Sequence, residues 1–137
     1  MEQKTKILKT ITVRTEFEGI HNYPEAPEEV YYLRSPHRHI FHVEVTVEVK
    51  HDDRDIEFIM LKHKIDKYIE KHLDNNNVWN MGRKSCEQVA DDIFMFLYLQ
   101  YCVDPKYKQT TNRYIKVSVF EDGENGATVE RRILDEL

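Results

Sequence analysis

The stretch His37-Arg38-His39-Ile40-Phe41-His42-Val43-Glu44-Val45-Thr46-Val47-Glu48-Val49-Lys50 decides the fold. His37, His39, Phe41, Val43, Val45, Val47 and Val49 share one parity; Arg38, Ile40, His42, Glu44, Thr46 and Glu48 share the other. Side chains of a strand point to opposite faces in turn, so this period of two predicts a strand with one buried face. Two histidines open that buried face. Spaced by one residue, their imidazoles point to the same side, which suits two ligands of one metal.

Working backward, residues Lys6 to His21 alternate in the same way. Ile7, Ile11, Val13, Thr15, Phe17, Gly19 and His21 fall on one face, and that face also ends in a histidine. Between the two strands, Pro24, Pro27 and Pro36 predict a loop. If the strands pair as a hairpin, His21 reaches the same point as His37 and His39. Three neutral imidazoles with an open fourth position form a catalytic-type zinc arrangement. His42 lies on the opposite face, His51 in a charged turn, and His63 and His72 on a charged helix, which sets them aside as ligands.

Working forward, Asp53 or Asp55 is expected to cap a helix in which Phe58, Leu61, Ile65, Tyr68 and His72 follow helical spacing. An Asn-rich turn, Asp74 to Asn77, ends it. Ser85 with Gln88 predicts a capping box for a second helix, with Val89, Ile93, Phe96, Leu97 and Tyr101 as its buried stripe. Arg113 to Glu121 alternates again, the run Asp122 to Gly126 signals a turn, and Ala127 to Leu134 completes a hairpin. The order strand, strand, helix, helix, strand, strand predicts an α+β fold, an antiparallel sheet with two helices on one face, in a single domain over residues 1–137. Glu121 closes an apolar strand face, where a carboxylate needs donors or a ligand with paired N–H groups, unless the strand end is simply solvated.

Bulk properties narrow the function classes. The net charge of −5 disfavours a nucleic-acid role built on phosphate contacts. No run of 18 apolar residues predicts a membrane span, and the charged start of the chain lacks an apolar signal core, so a cytoplasmic protein is expected. Cys86 and Cys102 fall in helical patterns and read as packed free thiols.

Taken together, these residues resemble the 6-pyruvoyl-tetrahydropterin synthase family, which includes the bacterial 6-carboxytetrahydropterin synthases of the deazapurine (queuosine) pathway. Phe17-Glu18-Gly19-Ile20-His21 resembles the family's Phe-x-x-x-His, and His37-Arg38-His39 its His-Gly-His. Glu57-Phe58-Ile59-Met60-Leu61, Leu73-Asp74-Asn75, Lys84 to Ala90 and Val117 to Glu121 are similar to later family motifs, in order. The resemblance implies the tunnelling fold (T-fold), zinc held by His21, His37 and His39, and a pterin or purine-like ligand gripped by Glu121. It also implies catalytic participation of Asp74, assembly into trimers or hexamers, and carbon–oxygen lyase chemistry on 7,8-dihydroneopterin triphosphate or a relative.

The departures are specific. Leu33 stands where the family has a catalytic cysteine, Asn75 where it has a catalytic histidine, and Arg38 where it has glycine. Leu33 and Asn75 cannot move a proton. Arg38 could contact a phosphate, and Tyr31, Tyr32 or their loop would have to replace the lost groups. Three readings stay open: a family-type enzyme, a degenerate member that binds or sequesters a heterocycle, and an interaction domain that keeps only the fold.

Overall fold

The computed structural model describes residues 7–107 and 112–134. The first strand, β1, spans Thr10–His21, so of its expected start Ile7 to Lys9 are not strand, and Lys6 lies outside the described residues. The loop after it contains 3₁₀ turns over Glu28–Arg34. They are pinned by a Tyr23 N–H donated to the Leu33 carbonyl at 2.8 Å and by Arg34 Nε donated to the Ala26 carbonyl at 2.9 Å. Strand β2 is His37–Glu48 and pairs antiparallel with β1 along its whole length.

Helix α1 (Phe58–Glu70) buries Leu61, Ile65 and Ile69. Its cap is Glu57, whose carboxylate accepts from the Ile59 and Met60 amides at 3.1 and 2.8 Å. The expected caps do other work: Asp55 accepts from Lys50 N at 2.8 Å and from the fully buried Arg113 at 3.2 Å, and Asp53 pairs with Arg54. Phe58, expected in the buried stripe, is half-exposed because it is the first helical residue. Helix α2 (Cys86–Tyr98) starts with the predicted capping box of Ser85 and Gln88. It turns Phe94 rather than Phe96 fully into the core; Phe96 packs on Tyr68 instead. A short π-helical segment, Leu99–Val103, continues it.

A strand not predicted from the sequence lies between the helices. Strand β3 (Val78–Gly82) runs parallel to β1, so the sheet is mixed rather than purely antiparallel. With β4 (Arg113–Glu121) and β5 (Asn125–Ile133) the order is β3-β1-β2-β4-β5. Val78 and Trp79 are both buried, so this short strand lacks the alternation that marks the others. Trp79 packs on Phe17 with ring centroids 4.9 Å apart and stacks on His72 at 4.2 Å.

Both helices cover one face of the sheet. Val13, Phe17, Phe41, Val43, Val45, Val47, Ile115, Val117 and Val119 from the strands meet Leu61, Ile65, Val89, Ile93 and Leu97 in one core. Burying each such side chain is worth about 1.5–3 kcal/mol. Gly19 sits in this face where no side chain fits: a Cβ there would come within 2.6 Å of Met81 Sδ and 2.8 Å of the Phe41 ring. Gly19→Val is therefore expected to destabilise the fold by about 1–3 kcal/mol through overpacking. Urea denaturation checks this, with a lower midpoint and an unchanged slope as the expected result.

Candidate metal and ligand site

The apolar face of the sheet runs past the end of the helix pair, and there its residues change from valine and phenylalanine to histidine. The β1–β2 register pairs Phe17 with Phe41, Gly19 with His39 and His21 with His37. Strand parity thus delivers three imidazoles to one corner. Ring centroids lie 4.6 Å apart for His21 and His37, 5.1 Å for His37 and His39, and 5.7 Å for His21 and His39. One nitrogen from each ring lies within 4.8 Å of the others.

The second nitrogen of each ring fixes its tautomer. Nδ1 of His21 lies 2.9 Å from the Lys84 carbonyl, and Nδ1 of His37 lies 2.9 Å from the Ser35 carbonyl. Nδ1 of His39 lies 2.7 Å from an Asp122 carboxylate oxygen. Carbonyls and carboxylates only accept, so each Nδ1 carries the proton and donates it. In the neutral rings, every Nε2 is left with a lone pair. Such backing by carbonyl and carboxylate is the usual support of metal-bound histidine. Nε2 of His21 is buried and without a hydrogen-bond partner among the described residues. An orphaned, buried acceptor beside two more imidazoles is a donor set that fits zinc.

Glu121 ends β4 opposite Phe41 and brings its carboxylate to the same corner. Its oxygens lie 3.1 Å from His21 Nε2 and 3.5 Å from His39 Nε2, and Cys86 Sγ lies 3.9 Å away as a donor. Next to them opens a cavity of about 1000 Å³. His21, His37 and Glu121 form one wall, the segment Arg83 to Gln88 another, and Asn22 to Glu25 with Leu33 a third. Arg83 is paired with Glu25, and Lys84 with Asp92. Burial, then the charges of Glu121 and Glu87, pushes the Cys86 thiol up to about 12, so it is a proton donor and not a thiolate.

The other expected residues lie as follows. Leu33, at the position of the family cysteine, does line the cavity. Asp74 is outside that lining: its carboxylate accepts from the Asn76 and Val78 amides at 2.8 and 3.1 Å and from the Asn80 side chain at 3.2 Å. The Val78 and Asn76 bonds hold its pKa below the usual carboxylate value. Arg38 points away from the histidines and pairs with Glu18 at 3.4 Å on the other sheet face. His42 faces Glu16 on that same side, and His72 is occupied by its stack on Trp79.

Three contributors escaped the sequence reading. Cys86, taken for a packing thiol, lines the cavity. The Lys84 carbonyl orients His21 through a backbone atom that carries no sequence signal. Asp122 was legible only as part of a turn. Its positive φ of 53° folds it back onto β2, where it accepts from Ile40 N at 3.0 Å as well as from His39. The bond from His39, then that from Ile40, lowers its pKa, so it is an ionised acceptor at neutral pH.

A mixed sheet backed by two helices thus carries three tautomer-fixed histidines at one corner, beside a large cavity, as a set of donor atoms that fits a metal ion. The sequence profile of the 6-pyruvoyl tetrahydropterin synthase family matches residues 10–132, and the chain belongs to that family. No curated protein sequence matches it. Among solved structures, it resembles the Plasmodium vivax 6-pyruvoyltetrahydropterin synthase at 17% identity and a TM-score of 0.64, covering 93% of this chain and 100% of that one. A variant of that protein with its catalytic glutamate replaced by cysteine gives 18% and 0.67, and the Plasmodium falciparum 6-pyruvoyl tetrahydropterin synthase 18% and 0.65, each with the same coverage. These likenesses establish the shared fold.

Asp122→Asn tests the backing of His39. Asn tolerates the left-handed backbone at this turn, so the turn survives while the carboxylate charge is lost. Zinc affinity, read by chelator competition, is expected to fall by about 10–100-fold. The thermal midpoint of the metal-free protein should change little.

Proposed function

We propose that this chain is a zinc-dependent protein of the pterin synthase type, acting on 7,8-dihydroneopterin triphosphate or a related pterin. The observation that carries this reading is the convergence of three imidazole nitrogens at a corner whose His21 and His37 line the cavity, each ring held by its own Nδ1 acceptor. His21, His37 and His39 would hold the metal. Bound there, zinc would polarise a substrate oxygen and make the adjacent carbon acidic. Glu121, about a third exposed, would accept the paired N–H groups of the heterocycle's edge. Cys86 would donate toward that edge or keep Glu121 oriented.

Asp74 lies outside the lining of the cavity in its own chain. A catalytic part for Asp74 would then be played at the cavity of a second copy, in keeping with the trimers or hexamers expected of the family. Among the described residues β5 pairs only with β4, which leaves a sheet edge that a second copy could extend, whereas the outer side of β3 is partly covered by the Leu73–Trp79 bridge. No helix among the described residues is long and apolar enough to cross a membrane, and a cytoplasmic, water-soluble substrate suits the reading.

One observation favours a second reading, a protein that binds the pterin or a purine relative and does not turn it over. The cavity wall carries Leu33 in place of the family's proton-transferring cysteine. The Plasmodium vivax enzyme has a catalytic glutamate, and the carboxylates lining this cavity are Glu25, Glu87 and Glu121. The two readings separate on incubation of zinc-loaded protein with 7,8-dihydroneopterin triphosphate. Release of inorganic triphosphate, abolished by His37→Ala, is the expected result. Tight retention of the intact pterin would support the binding protein, and neither turnover nor retention would overturn both readings. In either case Glu121→Gln should weaken pterin binding by about 1.5–3 kcal/mol, the worth of hydrogen bonds to a charged group.

A further inference from the structure

Glu121 stands in an odd relation to the histidines. Its Oε1 lies 3.1 Å from His21 Nε2 and its Oε2 3.5 Å from His39 Nε2. Because Nδ1 of both rings donates elsewhere, these are contacts of carboxylate oxygens with ring nitrogens that bear lone pairs when neutral. Acceptor facing acceptor is repulsive unless positive charge lies between them. A proton on His21 Nε2 does not resolve it, since that atom makes no hydrogen bond despite its 3.1 Å distance: an N–H there is not aimed at the oxygen. The atom is buried, so bulk water does not relieve it either.

A metal ion does resolve it. Zinc bonds of about 2.0–2.1 Å to nitrogen and 2.0–2.2 Å to oxygen, in a tetrahedron, put neighbouring donor atoms about 3.3–3.5 Å apart. The two observed separations, 3.1 and 3.5 Å, bracket that edge. The carboxylate is therefore spaced from His21 and His39 as a member of the same coordination sphere would be, and His37 completes the histidine group. It is also held in place: Cys86 Sγ donates toward Oε1 at 3.9 Å.

We infer that Glu121 is the fourth ligand of the metal when the cavity holds no ligand, making a closed site of three histidines and one glutamate. The inference rests on the three-histidine metal site proposed above and adds a second role to the residue proposed to grip the heterocycle. One carboxylate cannot do both at once. A ligand whose N–H groups recruit Glu121 takes it from the metal and frees the position its own oxygens then need. Recognition of the heterocycle and opening of the metal thus become one event. The site would expose a reactive metal position only to a molecule with the right hydrogen-bonding edge.

The test uses the metal alone and azide as a probe for an open coordination position. Metal-free protein is loaded with Co(II), whose visible d–d bands report coordination number and exchangeable ligands. The wild type is expected to give an intense four-coordinate spectrum that azide leaves unchanged. Glu121→Ala and the near-isosteric Glu121→Gln are expected to bind Co(II) at least about tenfold more weakly and to shift their bands on adding azide. A wild-type spectrum that responds to azide as the variants do, with equal metal affinity, would overturn the inference and leave the three-histidine site standing. Failure of the wild type to take up metal would overturn both. Should Glu121→Ala fail to fold, Glu121→Gln carries the comparison, with circular dichroism confirming its structure.

Discussion

The register between β1 and β2 is the constraint on which the rest of the structure depends. Pairing His21 with His37 and Gly19 with His39 places every inward residue of both strands on the same face. A slip of one residue in either strand would turn its valines and its histidines outward together, because the side-chain period is two. Core and site are thus specified by one ladder. The stacked pair Phe17 and Phe41, with ring centroids 5.2 Å apart, marks where core gives way to site, and it anchors both strands just before the histidines begin.

Around that ladder, each neighbouring element brings one part of the corner. Strand β4, paired with β2, ends at Glu121, and the turn beyond it returns Asp122 to His39. The lead-in to α2 supplies the Lys84 carbonyl to His21, and the first residue of α2 supplies Cys86. The 3₁₀ turns between β1 and β2 bring Leu33 to the cavity. Little of this support is covalently close: His39 and Asp122 are 83 residues apart, and His21 and Lys84 are 63. The site is a product of the completed sheet and has no local equivalent in an unfolded chain. Metal binding and folding are therefore expected to be coupled.

The sequence was most informative where periodicity was long. Twelve-residue strands with strict alternation announced their own inward faces, and with them His21, His37 and His39. The capping box at Ser85 was equally plain. Strand β3 was not, because Val78 and Trp79 are both buried and five residues give period two too little room. Asp55 was misread as a helix cap because composition cannot tell that a buried Arg113 would claim it. In the site, the carbonyl behind His21 and the turn geometry that delivers Asp122 depend on tertiary packing and leave no mark on residue type. Family resemblance suggested a part for Asp74, while the folded chain commits its carboxylate to a turn.

Three imidazole nitrogens, from His21, His37 and His39, are proposed to meet at one metal. X-ray absorption at the zinc edge of the loaded protein, compared with His37→Ala, tests this most directly. Stoichiometric zinc with scattering from three imidazole rings is expected in the wild type, and loss of one ring together with much weaker retention in the variant. A protein that retains no stoichiometric zinc, or a ring count unchanged by His37→Ala, would contradict it.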